Sequence, residues 1–262
     1  MLIEHICLLA VSEVRQELPL LVFLPGMDGS DLSLRQQAAG LKTVFDIRCL
    51  IIPENDQTAW VDLVAQLTEL VTIEKKSRPD RPIYLCGESF GACLALKTIS
   101  HRPNLFSGLI LINPASAFNR QIWSPLGAFL VQWLPGNTYR LGALGLLLFL
   151  IVPERVSQEN RQALLHAMQR ITPESAAWRL SLLQDFQLNK VVLKQFKTPT
   201  LLVASGADRL LPSVAEVQKI AALLPHAQTL TLNHSGHACL LETEVDLYQL
   251  LQQAQFMPRV KV

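Results

Sequence analysis

Pro82-Ile83-Tyr84-Leu85-Cys86-Gly87-Glu88-Ser89-Phe90-Gly91 carries a short apolar run straight into a Gly-x-Ser-x-Gly pentapeptide, and Ala92-Cys93-Leu94-Ala95-Leu96-Lys97 follows it. Residues 83–86 have the composition of a buried strand, and 92–97 that of a helix. A serine at the apex of so sharp a strand-to-helix turn needs neighbours without bulk two residues to either side, because the two backbones pass closely there. The turn lifts the serine Oγ above the end of the strand and puts the next N–H groups at a helix start, where they favour negative charge. The pentapeptide alone is a weak signal. The flanking strand and helix make it an elbow rather than an ordinary Gly-rich turn.

Working outward, apolar runs alternate with helical patterns, which predicts an α/β fold: a mainly parallel central sheet with helices on both faces. Leu20-Leu21-Val22-Phe23-Leu24 reads as a buried strand stopped by Pro25-Gly26, and Phe45 to Ile52 as another stopped by Pro53. Thr58 to Lys76 places Trp60, Leu63, Val64, Leu67, Leu70 and Val71 at helical spacing and predicts an amphipathic crossover helix. Residues 109–112, 200–204 and 229–232 read as further strands. Helices are expected to about residue 101, over 213–224 and over 243–255, with an edge strand before residue 12.

Residues 115–197 contain no convincing strand and read as several helices broken by Pro125, Pro135-Gly136, Pro153 and Pro173. The expectation is one domain over residues 1–262, with this stretch inserted as a helical lid over the carboxyl ends of the strands, where open α/β sheets place their sites. Its first half is unusually apolar (Leu126, Phe129, Leu130, Val131, Trp133, Leu134, then Leu141 to Val152). Two readings stand together: packing of the lid on the main domain, and a pocket or docking surface for a long acyl or prenyl chain.

A nucleophilic serine needs a base to take its proton and an acid to orient that base. Asp208, in Ser205-Gly206-Ala207-Asp208-Arg209, follows strand 200–204, and His237, in His234-Ser235-Gly236-His237-Ala238, follows strand 229–232. Three loops at one sheet edge thus carry Ser89, Asp208 and His237. His234 is the one serious rival; His237 is preferred because Gly236 lends its loop flexibility. The loop Leu24-Pro25-Gly26-Met27-Asp28-Gly29-Ser30 follows the first central strand. The backbone N–H groups of Met27 and Phe90 are the expected donors to a tetrahedral oxyanion. Asp28 and Asp31 are expected to cap turns or face solvent, since a carboxylate beside that oxyanion would repel it.

Half of the 262 residues are hydrophobic, and the net charge is +1, without a basic run. That composition argues against nucleic-acid binding. The five cysteines (Cys7, Cys49, Cys86, Cys93, Cys239) are scattered, lack any C-x-x-C, and read as reduced, buried thiols; no metal or cofactor is expected. No signal peptide is read at the N-terminus, and the apolar run 141–152 is too short to span a bilayer. A cytoplasmic protein, peripheral to a membrane through its lid, is the expectation; composition leaves the oligomeric state open.

The elbow, the Gly-Ala-Asp block and the Gly-His block together resemble the α/β-hydrolase superfamily across essentially the whole chain. More narrowly, Phe23 to Ser30, Arg48 to Pro53, Pro82 to Gly91 and Ala204 to Asp208 resemble the hydrolase portion of the plastid phytyl ester synthase and diacylglycerol acyltransferase-like family, of esterase, lipase and thioesterase type. That resemblance implies a serine hydrolase acting on lipophilic acyl esters or thioesters through an acyl-enzyme, or an acyltransferase moving fatty acyl groups to phytol or diacylglycerol. In the plant members an acyltransferase domain with a His-x4-Asp motif follows; none is read after the last helix of this sequence, so hydrolysis is the leading expectation. A non-catalytic lipid- or partner-binding protein of this fold, and a lyase or cofactor-free oxygenase, are the readings of other classes.

Overall fold

The computed structural model describes residues 5–121 and 136–258. Strands β1 (Cys7–Ala10), β2 (Leu20–Leu24), β3 (Asp46–Ile51), β4 (Ile83–Glu88) and β5 (Gly108–Ile112) form the first part of the sheet. Between them lie helices α1 (Leu32–Leu41), α2 (Trp60–Ser77) and α3 (Phe90–His101). Helices α4 (Gly136–Leu150), α5 (Gln158–Arg170), α6 (Pro173–Gln184) and α7 (Lys190–Gln195) separate β5 from β6 (Thr200–Ser205). Helix α8 (Ser213–Ala221), β7 (Ala227–Leu232) and α9 (Leu247–Gln253) follow.

The seven strands lie in the order β1-β3-β2-β4-β5-β6-β7. All pairs are parallel except β1 with β3, so the expected edge strand is present and antiparallel. The alternation of strand side chains divides the core into two layers. Leu20, Val22 and Leu24 pack with α2, α3 and α8 on one face. Leu21 and Phe23 pack with α1 and α9 on the other. Strand β2 is flanked by β3 on one side and β4 on the other, so the chain reverses its direction of travel across the sheet there. The crevice at the carboxyl ends of β2 and β4 is the place where open sheets of this kind hold ligands.

Two differences from the sequence reading have physical causes. Helix α1 was not expected, because its buried face includes a polar residue: Gln37 Nε2 donates to the carbonyls of Leu240 (2.7 Å) and Val245 (3.0 Å), and its Oε1 accepts from Leu247 N–H (2.6 Å). A glutamine satisfied by main chain interrupts the apolar period that would signal a helix. The C-terminal helix is shorter than 243–255, since Asp246 caps it at its true start through Tyr248 N–H, 2.9 Å.

Two of the four proline breaks fall among the described residues, and both act as the spacing predicts. Pro153 stands just past α4 and Pro173 is the first residue of α6, where its missing N–H costs nothing. Pro125, Pro135, Leu126, Phe129, Leu130, Val131, Trp133 and Leu134 lie outside the described residues. All five cysteines are free thiols; four are buried and Cys7 is half-buried. Among the described residues no helix is long and apolar enough to cross a membrane.

Candidate active site

Strand β4 runs through Gly87 and Glu88 into Ser89, whose φ of 53° and ψ of −111° leave the regions open to ordinary residues. The two glycines of the pentapeptide make this possible. A Cβ on Gly87 would lie 2.5 Å from the Gly91 carbonyl oxygen, and one on Gly91 would lie 2.1 Å from that of Leu24. The serine main chain is held on both sides, its N–H donating to Ile112 O (2.9 Å) and its carbonyl accepting from Ala115 N–H (3.2 Å).

Ser89, His237 and Asp208 come together from three loops. Ser89 Oγ lies 2.8 Å from His237 Nε2, and His237 Nδ1 lies 2.7 Å from Asp208 Oδ2. An ionised carboxylate can only accept, so Nδ1 carries the proton and the Nε2 lone pair faces the serine hydroxyl. Asp208 is fixed in turn by the N–H groups of Leu210 (2.8 Å) and Leu211 (3.0 Å) and by the Ser213 hydroxyl. Burial works against its charge, but His237, Ser213 and Leu211 outweigh burial and hold the carboxyl below the ordinary range. Burial likewise opposes the imidazolium of His237; the negative charges of Asp208 and Glu88 overcome it and raise its pKa above the ordinary 6.5. The rival His234 is exposed on the same loop.

The histidine loop is shaped by residues the sequence reading did not single out. Glu242 Oε1 accepts from Gly236 N–H (2.7 Å), and its Oε2 accepts from both Ser235 Oγ (2.8 Å) and Arg155 Nε (2.6 Å). Asn113 at the end of β5 donates to Ser205 Oγ (2.8 Å) and to the His237 carbonyl (2.7 Å). Gly236 is needed for close approach rather than for flexibility: a Cβ there would lie 3.0 Å from Val152 N, just past the end of α4.

Met27 is half-buried on the loop after β2, and Phe90 opens α3, so its N–H belongs to the first turn, which has no partner within the helix. Phe90 follows Ser89 directly in the chain, and Met27 lines the same cavity as Ser89. The Phe90 ring is stacked on Trp60, 4.8 Å between centroids. Asp28 does cap, as expected, binding Ser30 N–H at 3.2 Å and the Ser30 hydroxyl, but it is half-buried and lines the cavity described below. Asp31 makes no side-chain cap and is held instead by Arg35 at 2.7 Å. Glu88 is the unanticipated ionisable group. Burial pushes its carboxyl up to about 7; the Ser33 hydroxyl and His237 restrain the rise, while Asp28 adds to it.

A cavity of about 320 Å3 opens from Ser89 and His237 between the sheet and helices α4 to α6. Beyond its polar end the walls are apolar, with Phe118, Ala143, Leu146, Leu164, Leu183 and Leu211 among them. A larger recess of about 1010 Å3 at the amino ends of the strands is lined by Glu17, Arg78, Asp80 and prolines and holds no histidine. Among the described residues no cluster of three or more His, Cys, Asp or Glu could hold a metal ion.

A sheet of this order, a serine on a positive-φ elbow after its central strand, and an acid and a histidine on later loops at the same edge define an α/β-hydrolase. Known proteins place it further. Residues 54–244 match the Hydrolase_4 family, serine aminopeptidase S33, and the chain belongs to that family. It is 30% identical over 261 residues to phytyl ester synthase 1, chloroplastic, of Arabidopsis thaliana; the match covers 90% of this chain but 37% of that protein. It is also 30% identical over 182 residues to a pimeloyl-[acyl-carrier protein] methyl ester esterase of Xanthomonas axonopodis pv. citri, covering 66% of this chain and 70% of that one. Carboxylesterase CesB of Bacillus subtilis shares the fold, with a TM-score of 0.72 at 14% identity over 98% of this chain and 93% of its own. The resemblance carried by the elbow and by Phe23 to Ser30 is thereby borne out, and membership of this family supports an enzyme acting on esters.

Proposed function

We propose that this protein is a serine hydrolase that cleaves lipophilic acyl esters or thioesters through an acyl-enzyme. The observation that carries the reading is the hydrogen-bonded series Ser89–His237–Asp208 at the mouth of an apolar cavity. Ser89 Oγ attacks the acyl carbonyl carbon as His237 Nε2 takes its proton. The tetrahedral oxyanion is held by the N–H groups of Met27 and Phe90. His237 then returns the proton to the leaving alcohol or thiol, and Asp208 keeps its ring oriented and stabilises the imidazolium. Water activated by His237 resolves the acyl-enzyme. Residues 115–197 act as the lid of a single domain, supported by the contributions of α4, α5 and α6 to the cavity wall.

A cavity of 320 Å3 lies near the lower end of the roughly 300–1,000 Å3 of small-molecule sites. Its apolar walls suit the hydrocarbon part of an acyl chain. Helix α4 turns Leu144, Leu148 and Phe149 outward, each about half exposed, and these supply the surface for peripheral contact with a membrane.

The second reading is acyl transfer, in which phytol or diacylglycerol replaces water. It is favoured by the similarity to phytyl ester synthase 1, and this chain spans 37% of that protein's length. Intact-protein mass spectrometry after treatment with a fluorophosphonate tests the mechanism: one adduct, lost in Ser89→Ala, is expected. Product analysis with acyl esters, with and without phytol, then separates hydrolysis (free acid) from transfer (phytyl ester). A folded protein that neither labels at Ser89 nor turns over esters overturns the proposal and leaves a binding role for the fold.

A further inference from the structure

Among the described residues, helix α6 carries the one charged side chain that ranks with the largest fully buried ones: Arg179, 1% exposed. Its guanidinium reaches out of the helix to two main-chain carbonyls at the carboxyl edge of the sheet. Nη1 donates to Met27 O at 2.6 Å and Nη2 to Pro53 O at 2.6 Å. Taking a cation out of water is costly and is sustained only where the group is well bonded. Here one bond goes to the loop that follows β2 and the other to the segment that follows β3, so the guanidinium ties the two together.

That loop is a tight turn whose ends are fixed by main chain. Gly29 N–H donates to Gly26 O (3.1 Å), and Gly29 O accepts from Ile52 N–H (3.0 Å). Gly29 has φ of 69°, and a Cβ there would lie 2.7 Å from Ile52 O. The carbonyl of Met27, inside the turn, is gripped from outside by Arg179. The Met27 N–H shares a rigid peptide plane with Gly26 O, which Gly29 N–H holds, and the Met27 carbonyl lies in the next plane, which Arg179 holds. With the planes on both sides of the Met27 Cα held, its φ and ψ, and so the aim of its N–H, are restricted.

We infer that Arg179 is a positioning residue that sets the aim of the Met27 N–H and couples it to the seating of α6. The inference rests on the serine-hydrolase reading proposed above, in which Met27 is an oxyanion donor. Helix α6 also contributes Ala176, Leu180 and Leu183 to the cavity wall. One element therefore borders the acyl chain and, through Arg179, holds the oxyanion loop. The guanidinium also partly offsets the charge of Asp28 on that loop. Its effect belongs to the transition state, because a carbonyl needs the donor most once it becomes an oxyanion.

The test compares Arg179→Met and Arg179→Lys with wild type in esterase kinetics and in binding of two ligands. An alkyl trifluoromethyl ketone accepts the Ser89 oxygen at its carbonyl carbon, the proton passing to His237, and forms an oxyanion; the matching secondary alcohol cannot. Removing a whole oxyanion donor lowers kcat by about 10²–10³-fold, so misaiming one should lower it by about 10–100-fold. Arg179→Met is expected to lose that factor in kcat and in ketone affinity, with KM and alcohol affinity within about twofold of wild type. Arg179→Lys, which keeps the charge but not the fork, should recover part of the loss. An unchanged kcat and ketone affinity in folded Arg179→Met, or equal losses for ketone and alcohol, overturns the inference. If Arg179→Met does not fold, Arg179→Lys decides alone by the same split between kcat and KM. Fluorophosphonate labelling of wild type keeps the failures apart: absent labelling defeats the hydrolase reading, while normal labelling beside fully active Arg179 variants defeats only this inference.

Discussion

Gly91 passes so close to Leu24 that a Cβ on the glycine would lie 2.1 Å from the Leu24 carbonyl oxygen and 2.5 Å from its carbonyl carbon. The obstacle is main chain of a central strand, which cannot rotate away as a side chain could. This contact brings the loop after β2 beside the elbow serine, and it is the reason the second glycine of the pentapeptide is required.

Gly91→Ala is therefore expected to destabilise by more than the ~1–3 kcal/mol usual for overpacking, because the first turn of α3 must move away from the end of β2. Gly145, on the exposed side of α4, meets nothing within 4 Å, and Gly145→Ala should stabilise by about 0.5–1 kcal/mol through helix propensity. Urea unfolding of both variants checks the pair; equal effects would show that backbone approach is not the determinant.

The pH–rate profile follows from His237. The base must be neutral, so kcat/KM should fall as pH drops through its raised pKa, giving an acid limb above the ordinary 6.5. Asp208→Asn removes the main charge that raises it while burial remains, so the limb should move to lower pH. The rate at the plateau should drop by about 10³–10⁴-fold. Ester hydrolysis measured from pH 5 to 9 decides; a limb that stays in place in Asp208→Asn would detach Asp208 from the imidazole.

Glu88 links stability to pH in the opposite sense from most carboxyls. The folded state holds its proton up to about 7, whereas the unfolded chain releases it near 4.5. Its contribution is thus full below pH 4.5 and is lost as pH rises to about 7, a span worth roughly 3 kcal/mol. Glu88→Gln should leave the Tm near that of wild type at pH 4.5 and raise it at pH 8. Differential scanning calorimetry at the two pH values gives the answer, and a Tm gain that is the same at both would remove Glu88 from the pH dependence.

The depth of the cavity should set acyl preference. Ala143 on α4 is buried and faces the cavity from the side opposite the sheet. Ala143→Phe is expected to lower kcat/KM for p-nitrophenyl decanoate by about tenfold or more relative to the acetate, since each lost methylene contact is worth ~1–3 kcal/mol. Parallel losses on both esters would place the acyl chain elsewhere.

Much of this architecture is legible without coordinates. The apolar runs 20–24, 83–86, 109–112 and 200–204 announce the central strands because a sheet covered on both faces needs continuous hydrophobic segments. The pentapeptide 87–91 announces the elbow because only glycine tolerates the contacts around it. Asp208 and His237 could be chosen because each follows a strand at the same edge, which is a matter of chain order.

What the tertiary structure decided lies in contacts between residues far apart in sequence. Helix α1 is held by Gln37 bonded to main chain some 200 residues away, a partnership that leaves no apolar period to read. Glu242, Asn113 and Arg179 are polar residues at ordinary-looking positions, and they matter because folding brings a loop carbonyl or amide within their reach. Glycine signals survive in the sequence because sterics act on the residue itself. Hydrogen-bond partners do not, because a buried polar side chain is explained only by what the rest of the chain brings to it.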